Sequence, residues 1–272
     1  MNGTDRPPGG SALASLRRRA AAAAVAAVCS TLGVAVLVRS VSGTGAAIRW
    51  SATAGVVLLP VFWLLVSRLD ANRRPDGARL LPRFGVGNAL TLVRGVLLAW
   101  VAGFLLLAWR GGPLAWWPAA AYGTAAGLDY VDGILARRFG RETVLGARLD
   151  TSFDALGLLV APLVGVAAGA LPAWYLSASA ARYAFVAGIR LRERRGLPVY
   201  ELPPRRSRRF LAGLQMAFVA AALSPALRGA AVTAGAALFG GAFLLGFARD
   251  WLAVTGRLGS SGRSERDEQP AD

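Results

Sequence analysis

Long apolar segments alternate with short arginine-rich connections along most of this chain. Each apolar segment is long enough to cross roughly 30 Å of hydrocarbon as an α-helix. Glycine and alanine are abundant in them, which favours close helix packing in lipid. We predict eight membrane-spanning helices, at residues 20–38, 47–67, 88–109, 113–136, 149–170, 172–190, 210–227 and 230–248. The pattern therefore indicates an all-α integral membrane protein.

Composition supports this fold class and excludes several kinds of chemistry. Of the 272 residues, 55% are hydrophobic, and the mean hydropathy of +0.47 is too high for an ordinary soluble domain. The sequence has no histidine, which excludes Ser-His-Asp hydrolysis, histidine zinc sites and phosphohistidine intermediates. A single cysteine excludes an intrachain disulfide.

The basic residues predict how the chain crosses the membrane. There are 31 of them, all arginine, against 15 acidic residues, and they concentrate in connections 68–87, 137–148 and 190–209. Because cytoplasmic loops carry the excess of arginine, we expect a multi-pass cell-membrane protein with both termini and these connections in the cytoplasm. The same rule explains the basic excess without a nucleic-acid partner.

The two ends of the chain differ from its middle. Residues 1–16 and 251–272 are rich in small and polar residues, and we expect both segments to be disordered. Residues 17–84 are expected to form two N-terminal transmembrane helices and a basic cytoplasmic linker. Residues 85–250 would then form the main domain, a core of six transmembrane helices.

Four carboxylates interrupt the apolar sequence near its centre. Asp129 and Asp132 are three residues apart, and Asp150 and Asp154 are four apart, so each pair shares one helix face. Carboxylates at a membrane boundary need a compensating cation or a chemical role. On two helices of a hairpin they can form an all-oxygen cage for Mg²⁺ or Mn²⁺ at the cytoplasmic interface. Salt bridges to the arginines of connection 137–148 are the structural alternative.

Eight residues at fixed intervals resemble the signature of the class I CDP-alcohol phosphatidyltransferase family. They read Asp129-x2-Asp132-Gly133-x2-Ala136-Arg137-x8-Gly146-x3-Asp150-x3-Asp154. A second element, Asn88-x2-Thr91-x2-Arg94, is similar to the start of the family's first core helix. The resemblance implies that residues 85–250 transfer a phosphatidyl or ether-lipid group from a CDP-activated lipid to the hydroxyl of a small alcohol, releasing CMP. It also implies a homodimer.

The resemblance implies roles for individual residues. Asp129, Asp132 and Asp150 would bind metal, while Asp154 would be the general base and contact a second ion, so two Mg²⁺ or Mn²⁺ ions are expected. The implied CDP-lipid site consists of Asn88, Thr91, Asp129, Gly133, Ala136, Arg137 and Gly146. Helix packing by the small residues and helix capping by Asn88 and Thr91 are the structural alternatives.

Arginines in and near the spans are candidates for binding the acceptor. Arg94 lies about two turns into the third span and Arg182 midway along the sixth, where an arginine is a functional candidate. Pairing with a carboxylate is the alternative for Arg94. The complete candidate acceptor site is Arg94, Arg182, Arg205, Arg206 and Arg209. These cations favour a phosphorylated acceptor, glycerol 3-phosphate or inositol phosphate, while serine and other alcohols stay open.

Two other functions are compatible with an acidic membrane hairpin. A membrane prenyltransferase also binds magnesium diphosphate through aspartate-rich helices, but it would need two aspartate motifs on separate repeats. A transporter or scaffold could use the carboxylates for cation passage, although the sequence has no clear internal repeat of the kind such folds contain.

Overall fold

The apolar segments fold into long helices in the structure, a computed structural model that describes residues 8–139, 143–202 and 206–257. The helices are α1 Pro8–Ser42, α2 Thr44–Val66, α3 Val86–Gly103, α4 Trp117–Phe139, α5 Val144–Ala167, α6 Leu176–Arg194, α7 Arg206–Leu223, α8 Ala230–Gly235 and α9 Gly241–Val254. A π-helical segment, Ala236–Gly240, joins α8 and α9 into one continuous rod. These ranges contain no β-strand.

Five helices in the described ranges are long and apolar enough to cross a membrane. They are Gly10–Ser42, Thr44–Val66, Val86–Leu106, Val144–Ala167 and Ala230–Val254. This confirms the predicted all-α membrane fold class. Helices α4 and α6 contain several charged residues, and the apolar part of α7 is limited to Phe210–Leu223, so the count of eight spans stays a prediction.

Helix α1 begins earlier than the sequence suggests. It starts at Pro8, so residues 8–16 are helical, and the expectation that they are disordered is wrong. The physical reason is tertiary contact: Leu16 is fully buried, and the Ser15 hydroxyl donates a hydrogen bond to the carbonyl of Pro82 (3.0 Å). At the other end, residues 251–254 complete α9, so the tail expected from residue 251 begins later than predicted. Residues 1–7 and 258–272 lie outside the described ranges.

The connection after α3 is longer than predicted. The helix ends at Gly103 and a 3₁₀ turn follows, whereas α4 begins only at Trp117. The chain leaves the helix here because Phe104 and Trp109 turn inward, with ring centroids 6.3 Å apart in an edge-to-face arrangement. Two glycines and a proline follow Arg110 and favour the irregular backbone.

Helix α3 lies at the centre of the bundle and packs against α2, α4 and α5. Helix α1 packs on α2, so the two N-terminal helices form one side of the same bundle. Trp50 of α2 is fully buried against Phe104, and its indole occupies the space that a side chain at Gly103 would need. Sequential helices alternate in direction, so α3 and α5 begin, and α4 ends, at the same end of the bundle.

The linker between α2 and α3 folds across this end of the bundle. Asn72 is fully buried, and its backbone carbonyl accepts a hydrogen bond from the amide of Leu81 (2.8 Å). The amide of Val144, the first residue of α5, donates to the carbonyl of Arg73 (2.9 Å). The linker therefore fixes the ends of α3 and α5 relative to each other.

Candidate active site

Three of the four predicted carboxylates come together between α4 and α5. Ligand oxygens of Asp129, Asp150 and Asp154 all lie within 4.8 Å of one another. The i,i+4 spacing stacks the two aspartates of α5 on one face, and the antiparallel α4 brings Asp129 opposite them. Their side chains are 33%, 40% and 47% exposed, so the cluster is open on one side. Such an oxygen-only donor set suits a hard divalent cation.

Arg94 lies among these carboxylates. Its guanidinium forms an ion pair with Asp129 (2.8 Å), a charge-assisted hydrogen bond with Asp154 (2.6 Å) and a close contact with Asp150. Only 2% of its side chain is exposed, so this cation is held inside the bundle by α3. Its planar fork of donors can contact several carboxylates at once, which a point charge such as lysine does less well.

Asp132 lies one helical turn from Asp129 and faces the start of α3. The hydroxyl of Thr91 donates to the backbone carbonyl of Gly87 (3.0 Å) and lies 3.4 Å from Oδ2 of Asp132. A Cβ atom at Gly87 would lie only 2.9 Å from Oδ1 of Asp132. Glycine at this position therefore allows α3 to approach the aspartate closely.

A buried amide network joins three segments next to the carboxylates. The Asn88 side-chain amide donates to Oδ1 of Asn72 (2.9 Å), and the hydroxyl of Thr143 donates to Oδ1 of Asn88 (3.0 Å). The same hydroxyl accepts a hydrogen bond from the amide of Gly146 (3.0 Å) and so caps α5. Asn88 is thus bonded to the linker and to the start of α5, and helix α3 has no side-chain cap.

Gly146 of α5 packs closely against Asn88 of α3. A Cβ atom there would lie 2.5 Å from Oδ1 of Asn88 and 3.2 Å from the hydroxyl of Thr143. In the structure this glycine therefore makes room for the amide network. This contact fits the packing alternative considered for the small residues of the signature, and the predicted nucleotide contact of Gly146 stays a prediction.

Helix α6 packs against α5, the helix that carries Asp150 and Asp154. The hydroxyl of Tyr183 donates to the carbonyl of Ala155 (2.8 Å), and that of Ser179 donates to the carbonyl of Leu158 (2.6 Å). Arg182, half-buried on the same helix, is close enough for its charge to act on Asp154. Of the predicted acceptor residues, Arg94 and Arg182 therefore both lie near the carboxylates.

The remaining predicted residues are described only in part. Gly133 is half-buried on α4, one residue after Asp132. Ala136 and Arg137 continue that helix, but their side chains lie outside the described part of the chain. The same holds for the side chains of Arg206 and Arg209 on α7, and Arg205 is outside the described ranges altogether.

Several residues that support the site belong to no sequence motif. Asn72 and Thr143 stabilise the site through buried hydrogen bonds, and Gly87 permits the approach of α3 to α4. On the neighbouring helices, Arg208 of α7 forms an ion pair with Asp250 of α9 (2.7 Å), which links these two helices. In the sequence these are ordinary charged, polar or small residues. Their roles become visible only through the distant residues that they contact in the structure.

The comparison with protein families agrees with this geometry. The family model named CDP-alcohol phosphatidyltransferase matches residues 84–247, more than half of the chain. The chain belongs to the CDP-alcohol phosphatidyltransferase family. This confirms the resemblance inferred from the signature. Searches of curated proteins and of solved structures found no match.

Family membership sets the class of chemistry. A CDP-alcohol phosphatidyltransferase is a membrane transferase of phospholipid biosynthesis that takes its group from a CDP-alcohol donor. The family uses a divalent metal, and the cluster of Asp129, Asp150 and Asp154 can bind one. Helices α1 and α2 lie outside the matched region although they pack on its central helix.

Proposed function

We propose that this protein transfers a phosphatidyl or ether-lipid group from a CDP-activated lipid to the hydroxyl of a small alcohol, with release of CMP. The observation that carries the proposal is the convergence of Asp129, Asp150 and Asp154 within 4.8 Å, with Asp132 one turn away. A diphosphate donor concentrates negative charge, and divalent metal at these oxygens neutralises it. The four aspartates would hold one or two Mg²⁺ or Mn²⁺ ions.

Asp154 is proposed as the general base. It is the most exposed carboxylate of the cluster, at 47%, so an acceptor hydroxyl can reach it. The acceptor oxygen forms a bond to the phosphatidyl phosphorus, the bond between that phosphorus and the CMP oxygen breaks, and the hydroxyl proton passes to Asp154. Asp129, Asp132 and Asp150 serve as ligands.

The donor would bind along the start of α3 and the end of α4. Thr91 and Gly133 lie beside Asp132 and are proposed to contact the CDP group together with Ala136 and Arg137. Asn88 and Gly146 are proposed to contribute to the CDP site by shaping this end of the bundle, through the buried hydrogen bonds of Asn88 and the close packing of Gly146 against it.

Arg182 is the favoured acceptor cation. Arg94 is engaged with three carboxylates, whereas Arg182 acts on Asp154 from the neighbouring helix. A cation on the helix that contacts α5 next to Asp154, where Tyr183 donates to Ala155, suits a phosphorylated acceptor such as glycerol 3-phosphate or inositol phosphate. Arg205, Arg206 and Arg209 are proposed to extend this positive region. The arginine pattern favours a cytoplasmic site, and the family favours a homodimer.

Release of CMP from CDP-diacylglycerol by the purified protein tests the proposal. The acceptor panel is glycerol 3-phosphate, inositol phosphate, serine and glycerol, each with Mg²⁺, with Mn²⁺ and with a chelator. We expect metal-dependent release with a phosphorylated acceptor. Asp154→Asn should lose roughly 10²-fold or more in kcat, and Asp132→Ala should be similarly impaired.

Asp76→Asn is the matched control, because Asp76 is an exposed carboxylate of the linker. Full activity in folded Asp154→Asn protein, or turnover that persists with chelator, would refute the mechanism. Turnover of a prenyl diphosphate instead of the CDP-lipid would favour the prenyltransferase. Metal binding without any affinity for cytidine nucleotides would favour a transporter or scaffold.

A further inference from the structure

A cavity lined partly by polar groups lies at the end of the bundle opposite the carboxylates. Helices α3, α5 and α7 all start near the carboxylate end, and the cavity forms where the chain leaves their other ends. It has a volume of about 290 Å³, and its lining includes Arg110, Gly169, Pro172, Arg228 and Thr233. No residue of the proposed active site lines it.

Two arginines bring positive charge to this cavity. Arg110 is half-buried, stacks beside Trp109 with 5.8 Å from its guanidinium carbon to the ring centroid, and donates a long hydrogen bond to the carbonyl of Ala222 (3.4 Å). Arg228 is exposed and donates from Nε to the carbonyl of Pro225 (2.8 Å). Burial and the charge of Arg228 lower the pKa of Arg110, so the two cations repel each other in the absence of an anion.

Among the described residues, no carboxylate lies at this end of the bundle. The connections at residues 39–49, 104–116, 168–175 and 224–229 contain no aspartate or glutamate. Each acidic residue in the described ranges lies in the linker, in the carboxylate site, in the connection after α6, or near the C-terminal ends of α6 and α9. The described residues therefore give neither arginine a carboxylate partner at this end, which makes the cavity suited to an external anion.

The position of the cavity indicates the chemistry of its ligand. Trp116 and Trp174 are exposed in the connections at this end, as aromatic residues are at the level of lipid headgroups. The cavity is smaller than the roughly 300–1,000 Å³ of sites that enclose a drug-sized ligand. It therefore suits a phosphate with a small polar substituent, and the fork of each guanidinium can donate to its oxygens.

We propose that the Arg110–Arg228 cavity binds the phosphate of an anionic phospholipid headgroup, on the membrane surface opposite the active site. This site is separate from the one that carries the proposed transferase function, so either proposal can fail alone. A free phosphate would satisfy the same two arginines, and the experiment is designed to separate the two sources.

The test compares the double variant Arg110→Gln/Arg228→Gln with the double variant Arg39→Gln/Arg49→Gln in detergent. The control removes the same charge from exposed arginines at the same end of the bundle. Each protein is titrated with short-chain phosphatidylglycerol, with phosphatidylcholine or with inorganic phosphate. The measurement is the apparent melting temperature, from which a dissociation constant is fitted.

We expect phosphatidylglycerol to stabilise the wild type and the control with similar dissociation constants. Loss of two charge-assisted hydrogen bonds should weaken binding by the cavity variant roughly tenfold or more. Equal binding by the cavity variant, or equal stabilisation by phosphatidylcholine, would overturn the proposal. An effect of inorganic phosphate that equals that of the lipid would assign the site to free phosphate instead. Arg228→Gln alone changes an exposed side chain and repeats the test if the double variant fails to fold.

Discussion

Arg94→Gln is the most informative single change in the proposed active site. Glutamine is similar in length and retains hydrogen-bonding groups, but it removes the positive charge that contacts Asp129, Asp150 and Asp154. Three carboxylates would then face each other without the buried cation that lies between them. The variant therefore asks whether Arg94 is the internal counter-charge of the metal-free site.

The expected loss of stability follows from the geometry. Two unit charges 4.8 Å apart repel by about 3.5 kcal/mol at an effective dielectric constant near 20. Breaking a buried ion pair by removing one partner costs about 3–5 kcal/mol. Because the carboxylates are 33–47% exposed and solvent screens them, we take the lower end, about 3 kcal/mol. For a chain of this size that corresponds to a decrease of roughly 5–10 °C in Tm.

Divalent metal should reverse most of this loss. A bound dication supplies the missing positive charge, and without Arg94 it no longer competes with the guanidinium for the same oxygens. We therefore expect Arg94→Gln to be destabilised in chelator, close to wild type in millimolar Mg²⁺, and tighter in its binding of Mn²⁺. Arg94→Lys keeps the charge but not the planar fork, and should give intermediate values.

Thermal unfolding with chelator and with a Mg²⁺ series, together with a calorimetric Mn²⁺ titration, measures both effects. A decrease in Tm that is the same at every metal concentration, with unchanged Mn²⁺ affinity, would refute the reasoning. Arg94 would then be a packing residue or a direct ligand of the acceptor, as the sequence suggested.

Three further variants test how the surrounding residues hold the site. Gly87→Ala should lower kcat, because the added Cβ atom would displace the carboxylate of Asp132. Gly85→Ala is the control, since its Cβ atom would meet no atom within 4 Å, and equal rates of CMP release by the two variants would contradict this prediction. Asn88→Ala should lower the free energy of unfolding by about 1–3 kcal/mol, because its two buried partners lose their hydrogen bonds; an unchanged Tm would count against the network. Trp50→Ala should destabilise the protein by about 3–5 kcal/mol, measured by thermal unfolding. Trp63→Ala, at an exposed tryptophan of the same helix, should leave Tm nearly unchanged, and equal losses in the two variants would contradict this reasoning.

The length and hydropathy of the apolar segments predicted much of the architecture. The apolar segments lie on long helices, and the all-α membrane fold follows from their length and hydropathy. The boundaries were less accurate where tertiary contacts decide them. Leu16 extends α1 toward the N-terminus by packing on the linker, and Trp109 ends the region of α3 by turning into the core. Neither effect has a signature within a few residues of chain.

The sequence by itself identified the family, because the eight residues of its signature lie on two helices and a short connection, and the reaction class is what that membership implies. Three and four residues place each pair on one face whatever the rest of the fold does. The tertiary structure alone decided that Arg94 occupies the centre of the cluster, 56 and 60 residues before two of its partners, and that Asn88 reaches Asn72 and Thr143. Such contacts depend on how three helices and a linker pack together, and helical periodicity carries no information about which distant residue will face a given side chain.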